Sequence, residues 1–340
     1  MTVRPTVFVT HSPTALQNYY GPRALAALQA VATVRCAPGE EPFTVDTLAA
    51  AADDCDIIVS DRRAEGGADL LERLPRLVAF CRCAVDIRNV DVAAASAHGI
   101  LVTQASAGFM ASVSEWIVGM MVDLARHISP AVAHYQAGLP PNVAMGRELR
   151  GANLGIIGFG LIARYLADLA LAFGMRVCVS DPFTKVNNPA LRQVPMELLL
   201  AESDFVVCLA AATPQTENLM GDAAFAAMQP SAYFINASRG NLVDEAALLR
   251  ALDAGCIAGC ALDVGRAPDQ MPSPALSRHP RVRATPHIGG LTPPAIENQS
   301  LETAAQVAAI VRGQIPPGAV NAAHALRLHA RFLPQRGTTP

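Results

Sequence analysis

The stretch Leu154-Gly155-Ile156-Ile157-Gly158-Phe159-Gly160-Leu161-Ile162-Ala163 decides the fold. It begins in an apolar run, Asn153–Ile157, that reads as a buried strand. It continues into a helix pattern of Leu166, Leu169, Ala170 and Phe173, closed by Gly174. Strand, glycine turn and helix in this order form a dinucleotide-binding fingerprint. Gly158 permits the tight turn. Gly160 lets the backbone approach a pyrophosphate, which then sits on the helix N-terminus beside Leu161 and Ile162. Ala163 is small enough for the helix to pack closely on the strand. Glycines punctuate many turns, so the motif alone is weak. The following strand, Arg176–Ser180, strengthens it by ending in Asp181. An acid there accepts hydrogen bonds from ribose hydroxyls and repels a 2′-phosphate, which favours NAD over NADP. The plain alternative is that Asp181-Pro182 is a turn.

The same alternation extends in both directions. Upstream, strands are expected at Thr6–Thr10, Val31–Cys36, Asp56–Ser60, Leu77–Cys81 and Ile100–Thr103. Downstream they are expected at Asp204–Leu209, Ala232–Asn236, Ile257–Leu262 and Val282–Ala284. Ala- and Leu-rich helical stretches separate them, so the class is α/β with parallel sheets covered on both faces. With 340 residues, 51% of them hydrophobic, the chain is long enough for two domains with large cores. A net charge of -3 and 5% aromatic residues argue against nucleic acid and anionic membrane surfaces as partners. No apolar run is long enough to span a bilayer, and the first residues lack the order of a signal peptide. The eight cysteines are scattered without metal-ligand spacing, so no metal is expected. Buried reduced thiols in a cytoplasmic protein are the expectation.

One long helix carries an apolar stripe: Val113, Trp116, Ile117, Met120, Met121 and Leu124. Ser112 and Glu115 fit a capping box at its start. The stripe is expected to pack against another domain or a second subunit. A further helix is expected over Ala295–Arg312, and the tail Ala325–Pro340 reads as a poorly ordered arm.

In open α/β sheets, ligands bind beyond the carboxyl ends of the strands. Those ends carry the glycine turn, Asp181, the Ala210–Pro214 segment with Ala211 and Thr213, then Ala237, Ser238 and Arg239, then Asp263, and finally His287 with Gly289. Arg239 precedes a glycine and can clamp a carboxylate bidentately; the bland reading is a surface arginine on a turn. His287 sits in the rigid loop Thr285-Pro286-His287-Ile288-Gly289-Gly290. An imidazole there suits proton transfer to a carbonyl oxygen, against the bland reading of a loop histidine capping backbone groups.

Taken together, LGIIGFGLIA with Asp181-Pro182, FINASRGNLVDEAAL, GCALDV and TPHIGG resemble the D-isomer-specific 2-hydroxyacid dehydrogenase family over nearly the whole chain. The resemblance implies two doubly wound Rossmann-like domains. An NAD-binding domain, residues 102–287, would be inserted into a discontinuous flavodoxin-like substrate domain of residues 1–101 and 288–340. It implies a homodimer joined through the nucleotide domain, with the helix after Ser112 at the interface. It also implies a small carboxylate substrate, with hydride transfer between nicotinamide and C2 of a 2-hydroxy or 2-oxo acid. By the family's pattern Arg239 binds the substrate carboxylate and carbonyl, His287 is the acid/base and Asp263 holds the nicotinamide amide.

The chain departs from that pattern twice. Pro268 stands where the family usually carries a glutamate that serves the histidine, and Asp269, one residue on, is the candidate replacement. The substrate loop, usually glycine-rich, reads Cys81-Arg82-Cys83-Ala84-Val85-Asp86-Ile87-Arg88. Ala84, Val85 and Asp86 are its substrate-binding candidates, and either Arg82 or Arg88 would offset the charge of Asp86, or the substrate differs from a simple small 2-hydroxy acid. Two alternatives follow from the missing glutamate: a corepressor-like NAD-binding regulatory or scaffold protein, and, less favoured, a formate-type dehydrogenase.

Overall fold

The computed structural model describes residues 4–106, 108–140 and 143–332, with the side chain of Asp269 excepted. Two compact units divide the chain: Met1–Gly108 with Thr292–Pro340, and Phe109–Leu291.

The first unit is built on a five-stranded sheet of β1 (Thr6–Val9), β2 (Thr33–Cys36), β3 (Ile57–Ser60), β4 (Ala79–Arg82) and β5 (Leu101–Gln104), in the order β2-β1-β3-β4-β5. All its pairings are parallel, which is the flavodoxin-like order. The helix Pro293–Ile310 packs on one face through Ala304, Val307 and Ile310, against Val7, Val9, Ile57 and Val59. Leu48, Leu70, Leu71 and Leu74 cover the other face over Phe8, Ile58 and Phe80.

A seven-stranded sheet forms the second unit. Its strands are β6 (Asn153–Ile157), β7 (Arg176–Ser180), β8 (Leu191–Gln193), β9 (Phe205–Cys208), β10 (Tyr233–Asn236), β11 (Gly259–Leu262) and β12 (Val282–Ala284), in the order β12-β11-β10-β9-β6-β7-β8. This is the dinucleotide-binding order with one added strand, reversing direction between β6 and β9. Strands β9, β10 and β11 are buried at every position. Their runs Phe-Val-Val-Cys, Tyr-Phe-Ile-Asn and Gly-Cys-Ala-Leu are continuous rather than alternating because helices cover both faces. The α/β class with two doubly wound parallel sheets is thus the observed architecture.

Several expectations change. The expected domain edge at 101/102 cuts through β5, whose residues pair with β4 as far as Gln104; the chain leaves the first unit after Gly108 and returns at Thr292. The long helix runs Met110–Arg126 with Phe109 at its N-cap, so Ser112 lies inside the helix and not at its N-cap. The stripe packs within its own unit, with Trp116 and Met120 only partly buried. Val113, Ile117, Met121 and Leu124 pack with Ala163, Leu166, Ala167 and Ala170 of the helix Leu161–Ala172 in the unit's own core. The late helix begins at Pro293 and ends at Ile310. The supposed arm folds in part: Leu326–Phe332 is a helix with Leu328 fully buried, and Arg331 Nε donates to Asp56 Oδ1 at 2.9 Å. Residues 333–340 of that arm lie outside the described residues. Edge strand β8 was not foreseen; three residues, two of them exposed, carry little periodicity.

Candidate functional site

In the second unit the glycine turn sits at the point where the strand order reverses. Gly158 has φ +89°, and a Cβ there would lie 2.7 Å from the Ala210 backbone at the end of β9. Both the left-handed backbone and the close approach exclude a side chain. Gly160 begins the helix Leu161–Ala172, with no side-chain cap and no atom within 4 Å of where its Cβ would be. The uncapped first-turn N–H groups therefore face open space, the cradle a pyrophosphate needs. Leu161 is exposed, and Ile162 is half-buried with its carbonyl accepting from Ser114 Oγ at 3.2 Å.

Asp181 follows β7 and ties this turn down. Its Oδ2 accepts from Phe159 N at 2.7 Å, and its Oδ1 accepts from Phe183 N and Thr184 N at 2.8 Å each. Burial raises its carboxyl, but these backbone donors outweigh it and hold the group below the usual aspartate value. After β9, Thr213 and Thr216 cap one another across a short turn, and Thr216 Oγ1 donates to Ala211 O at 2.7 Å. Ser238, beyond half-buried Ala237, donates its hydroxyl to Ala210 O. The loop after β6 is therefore tied to that after β7, and the loop after β9 to that after β10.

Arg239 leaves β10 in extended backbone and is half-buried. Its carbonyl accepts from Asn236 Nδ2 at 3.0 Å, and its Nη1 donates to Ser238 O at 2.8 Å. Asp263 ends β11 and is 4% exposed. It takes Thr285 Oγ1 at 2.6 Å and Ile288 N at 2.8 Å on Oδ1, and Gly289 N at 2.8 Å on Oδ2. These donors flank His287, whose φ is +56°. A left-handed non-glycine residue costs about 1–2 kcal/mol, whereas hydrogen bonds to a charged group contribute about 1.5–3 kcal/mol each. The buried carboxylate therefore holds the strained histidine loop in place. Sequence reasoning singled out Asp263, but nothing local in the sequence signals that it accepts from a loop more than 20 residues away.

The loop after β11 turns tightly: Gly265 N donates to Gln270 O at 2.8 Å and Ala267 N to Met271 O at 3.0 Å. Asp269 has its backbone in the short turn Pro268–Gln270, and its side chain lies outside the described residues. Among the described residues no group of three or more His, Cys, Asp or Glu side chains could hold a metal ion. A cavity of about 510 Å³ lined by Asn153, Arg176, Cys178, Arg192 and Glu202 opens elsewhere on this unit and includes none of the candidate residues.

In the first unit, Ala84, Val85 and Asp86 follow β4 and are half-buried. Ala84 O accepts from Ala105 N at 3.0 Å. Arg88 meets Asp86 bidentately, Nε to Oδ1 at 3.0 Å and Nη2 to Oδ2 at 2.7 Å. Arg82 instead turns inward, 5% exposed, donating to Asn89 Oδ1 at 3.2 Å and Ser60 O at 3.1 Å. Burial lowers its guanidinium. Arg88 thus makes the direct bidentate contact with Asp86, while Arg82 feels its charge from the interior. Beside this edge lies a histidine that sequence reading passed over: His11 is 2% exposed, with its Nδ1 unpartnered and its ring against Tyr20.

Comparison with known proteins agrees with this arrangement. The D-3-phosphoglycerate dehydrogenase 3 of Arabidopsis thaliana, chloroplastic, is 32% identical over 324 residues, which are 94% of this chain and 53% of that one. The D-3-phosphoglycerate dehydrogenase of Rattus norvegicus is 34% identical over 288 residues, 83% of this chain and 54% of that one. This chain spans about half the length of those curated relatives. A crystal structure of a protein from Thermus thermophilus superposes with a TM-score of 0.83 at 27% identity, covering 93% of this chain and 99% of that one. Residues 118–289 match the family model described as D-isomer specific 2-hydroxyacid dehydrogenase, NAD binding domain. That match spans the glycine turn, Asp181, Arg239, Asp263 and His287, and NAD is the cofactor of the matched domain. The chain belongs to the D-isomer specific 2-hydroxyacid dehydrogenase family.

Proposed function

We propose that the chain is an NAD-dependent oxidoreductase that interconverts a 2-hydroxy acid and a 2-oxo acid. The observation that carries this reading is the second sheet's carboxyl edge, where the glycine turn, Arg239 and the Asp263-braced His287 loop all emerge in one unit. When bound, nicotinamide exchanges a hydride at C4. Arg239 holds the substrate carboxylate and polarises the C2 carbonyl. His287 takes the hydroxyl proton during oxidation and returns it during reduction. Asp269 serves His287 in place of the family's glutamate. Gly158, Gly160, Leu161 and Ile162 receive the pyrophosphate, and Asp181 the adenosine ribose. Ala211, Thr213, Ala237, Ser238, Asp263 and Gly289 line the rest of the cofactor site. Ala84, Val85 and Asp86 are the substrate-binding candidates of the first unit, which is taken as the substrate domain.

The protein is proposed to act as a cytoplasmic homodimer. Eight free thiols support the compartment. The dimer draws support from an exposed apolar stripe on and just past the helix Ile128–Gln136: Ile128, Val132, Tyr135 and Leu139. Sedimentation of the Tyr135→Glu variant as a monomer is the expected outcome.

Purified protein with NADH and a panel of 2-oxo acids tests the activity. Turnover of at least one acid is expected, with Arg239→Ala losing roughly a hundredfold in kcat/KM. Full activity in that variant overturns the assigned role. NADH binding without turnover of any acid replaces the reading with a regulatory one. Trp116, the single tryptophan, lies against Gly289 and reports cofactor binding by fluorescence in either case.

A further inference from the structure

The loop after β11 carries Arg266 as well as the candidate Asp269. A Cβ on Gly240 would lie 2.1 Å from the Gly265 backbone, so the segments following β10 and β11 touch main chain to main chain beside Arg239. The next residue, Arg266, closes this contact. Its Nε donates to Val243 O at 3.1 Å. Its Nη2 lies 2.9 Å from Asn241 O, 2.6 Å from Asn218 Oδ1 and 2.8 Å from Glu217 Oε1. Its backbone N–H donates to Glu245 Oε1 at 3.0 Å. Glu217 also accepts from Asn241 Nδ2 at 2.8 Å, and that bond together with Arg266 holds its carboxyl below the usual range. One guanidinium thus joins three chain segments: residues 217–218 after β9, residues 241–243 after β10, and its own loop after β11. The planar fork is what makes this possible; a lysine ammonium has no such geometry.

The bonded carbonyls belong to the turn Gly240–Leu242, which begins one residue after Arg239, and to Val243 directly after it. Amide bonds from Asn218 to Asn241 O and from Met220 to Leu242 O, 2.9 Å each, run alongside. We infer that Arg266 is a positioning residue: its clamp on the turn after β10 fixes the backbone from which Arg239 reaches the substrate carboxylate. This rests on the role proposed above for Arg239. A displacement of about 1 Å at such a group costs on the order of a hundredfold in rate, so the clamp matters without touching substrate.

The test uses the full chain with Arg266→Gln and Arg266→Lys. Arg250→Ala serves as control, since it removes another exposed arginine, paired with Asp222 in the same unit. Three quantities are read: hydrogen exchange at the Asn218, Met220, Val243 and Asp244 amides, NADH affinity by Trp116 fluorescence, and KM and kcat for the best 2-oxo acid. Faster exchange confined to those amides is expected in both Arg266 variants, together with a KM for the oxo acid raised roughly tenfold. NADH affinity should stay within about threefold, and lysine should fail to rescue. Arg250→Ala should change none of these. Unchanged exchange overturns the clamp whatever the activity shows. Faster exchange with unchanged KM overturns its role in positioning Arg239. A loss of kcat alone, matched by a lowered Tm and a smaller folded fraction, assigns Arg266 to stability instead and also overturns it. If the wild type turns over no 2-oxo acid, the functional reading falls, and the exchange data still decide whether the clamp exists.

Discussion

The carboxyl edges of the two sheets are held by different mixtures of bonds. At the edge of the seven-stranded sheet, carboxylates bind backbone: Asp263 accepts Ile288 N and Gly289 N, and Asp181 accepts Phe159, Phe183 and Thr184 N. At the edge of the five-stranded sheet, such bonds stand beside side-chain pairs: Asp61 accepts Arg63 N and Ala64 N and Asp86 accepts Arg88 N, while Asp86 also meets Arg88, Thr10 meets Asp61 and Arg82 meets Asn89 through their side chains. A carboxylate that binds backbone fixes the path of a loop and can hold a left-handed residue such as His287. Pairs of side chains set local charge but leave the chain's path to other forces.

The largest test of this contrast is Asp263→Ala. It strands the Ile288 and Gly289 amides, one of them buried, and removes what offsets the strain at His287. A loss of about 3 kcal/mol or more is expected, with activity abolished, read from denaturant midpoints and NADH oxidation. A loss under about 1 kcal/mol would show that the loop is held by something other than this carboxylate.

The five-stranded edge has its own sensitivity, to pH. Burial lowers His11 from 6.5 to about 4, against an opposing attraction from Asp61. Between those two pH values the unfolded chain binds a proton that the folded state refuses. Stability should therefore fall as pH drops through that window and level off below it. His11→Gln should flatten this slope in urea titrations run at several pH values across the window. An unchanged slope would mean that another group governs acid sensitivity.

The smallest effects belong to the exposed pair. The Arg88 side chain is 61% exposed, so Arg88→Ala should cost less than about 1 kcal/mol. It should instead raise KM for an anionic acid, because Asp86 loses its bidentate partner, while the double variant with Asp86→Asn restores it. A KM unmoved by Arg88→Ala would place the pair away from the substrate.

Legibility in the sequence follows the same division. The glycine turn, Asp181 and the buried strands were readable because their signals are local: a run of apolar residues, a turn, an acid at the next strand end. Arg239 and His287 were readable by placement, since the ends of parallel strands collect ligand-binding groups. The clamp at Arg266 was not, because its acceptors lie up to 49 residues away in sequence and include main-chain carbonyls with no residue signature. Ser112 misled because Ser-x-x-Glu at a helix start looks the same inside a helix. The helix Leu326–Phe332 was hidden because its order comes from docking, through Leu328 and the Arg331–Asp56 bond, rather than from a strong local pattern.

By itself, the sequence determined the α/β class, the parallel sheets, the dinucleotide turn with its acid and the strand ends at which chemistry can gather. Short-range periodicity and the backbone freedom of glycine dictate these. Tertiary structure alone decided that Asp263 braces the histidine loop, that Arg88 rather than Arg82 makes the bidentate contact with Asp86, and that Arg266 joins three loops. Each of those depends on contacts that local pattern does not encode, most of them hydrogen bonds between distant segments, and such bonds exist only once the sheets have brought their ends together.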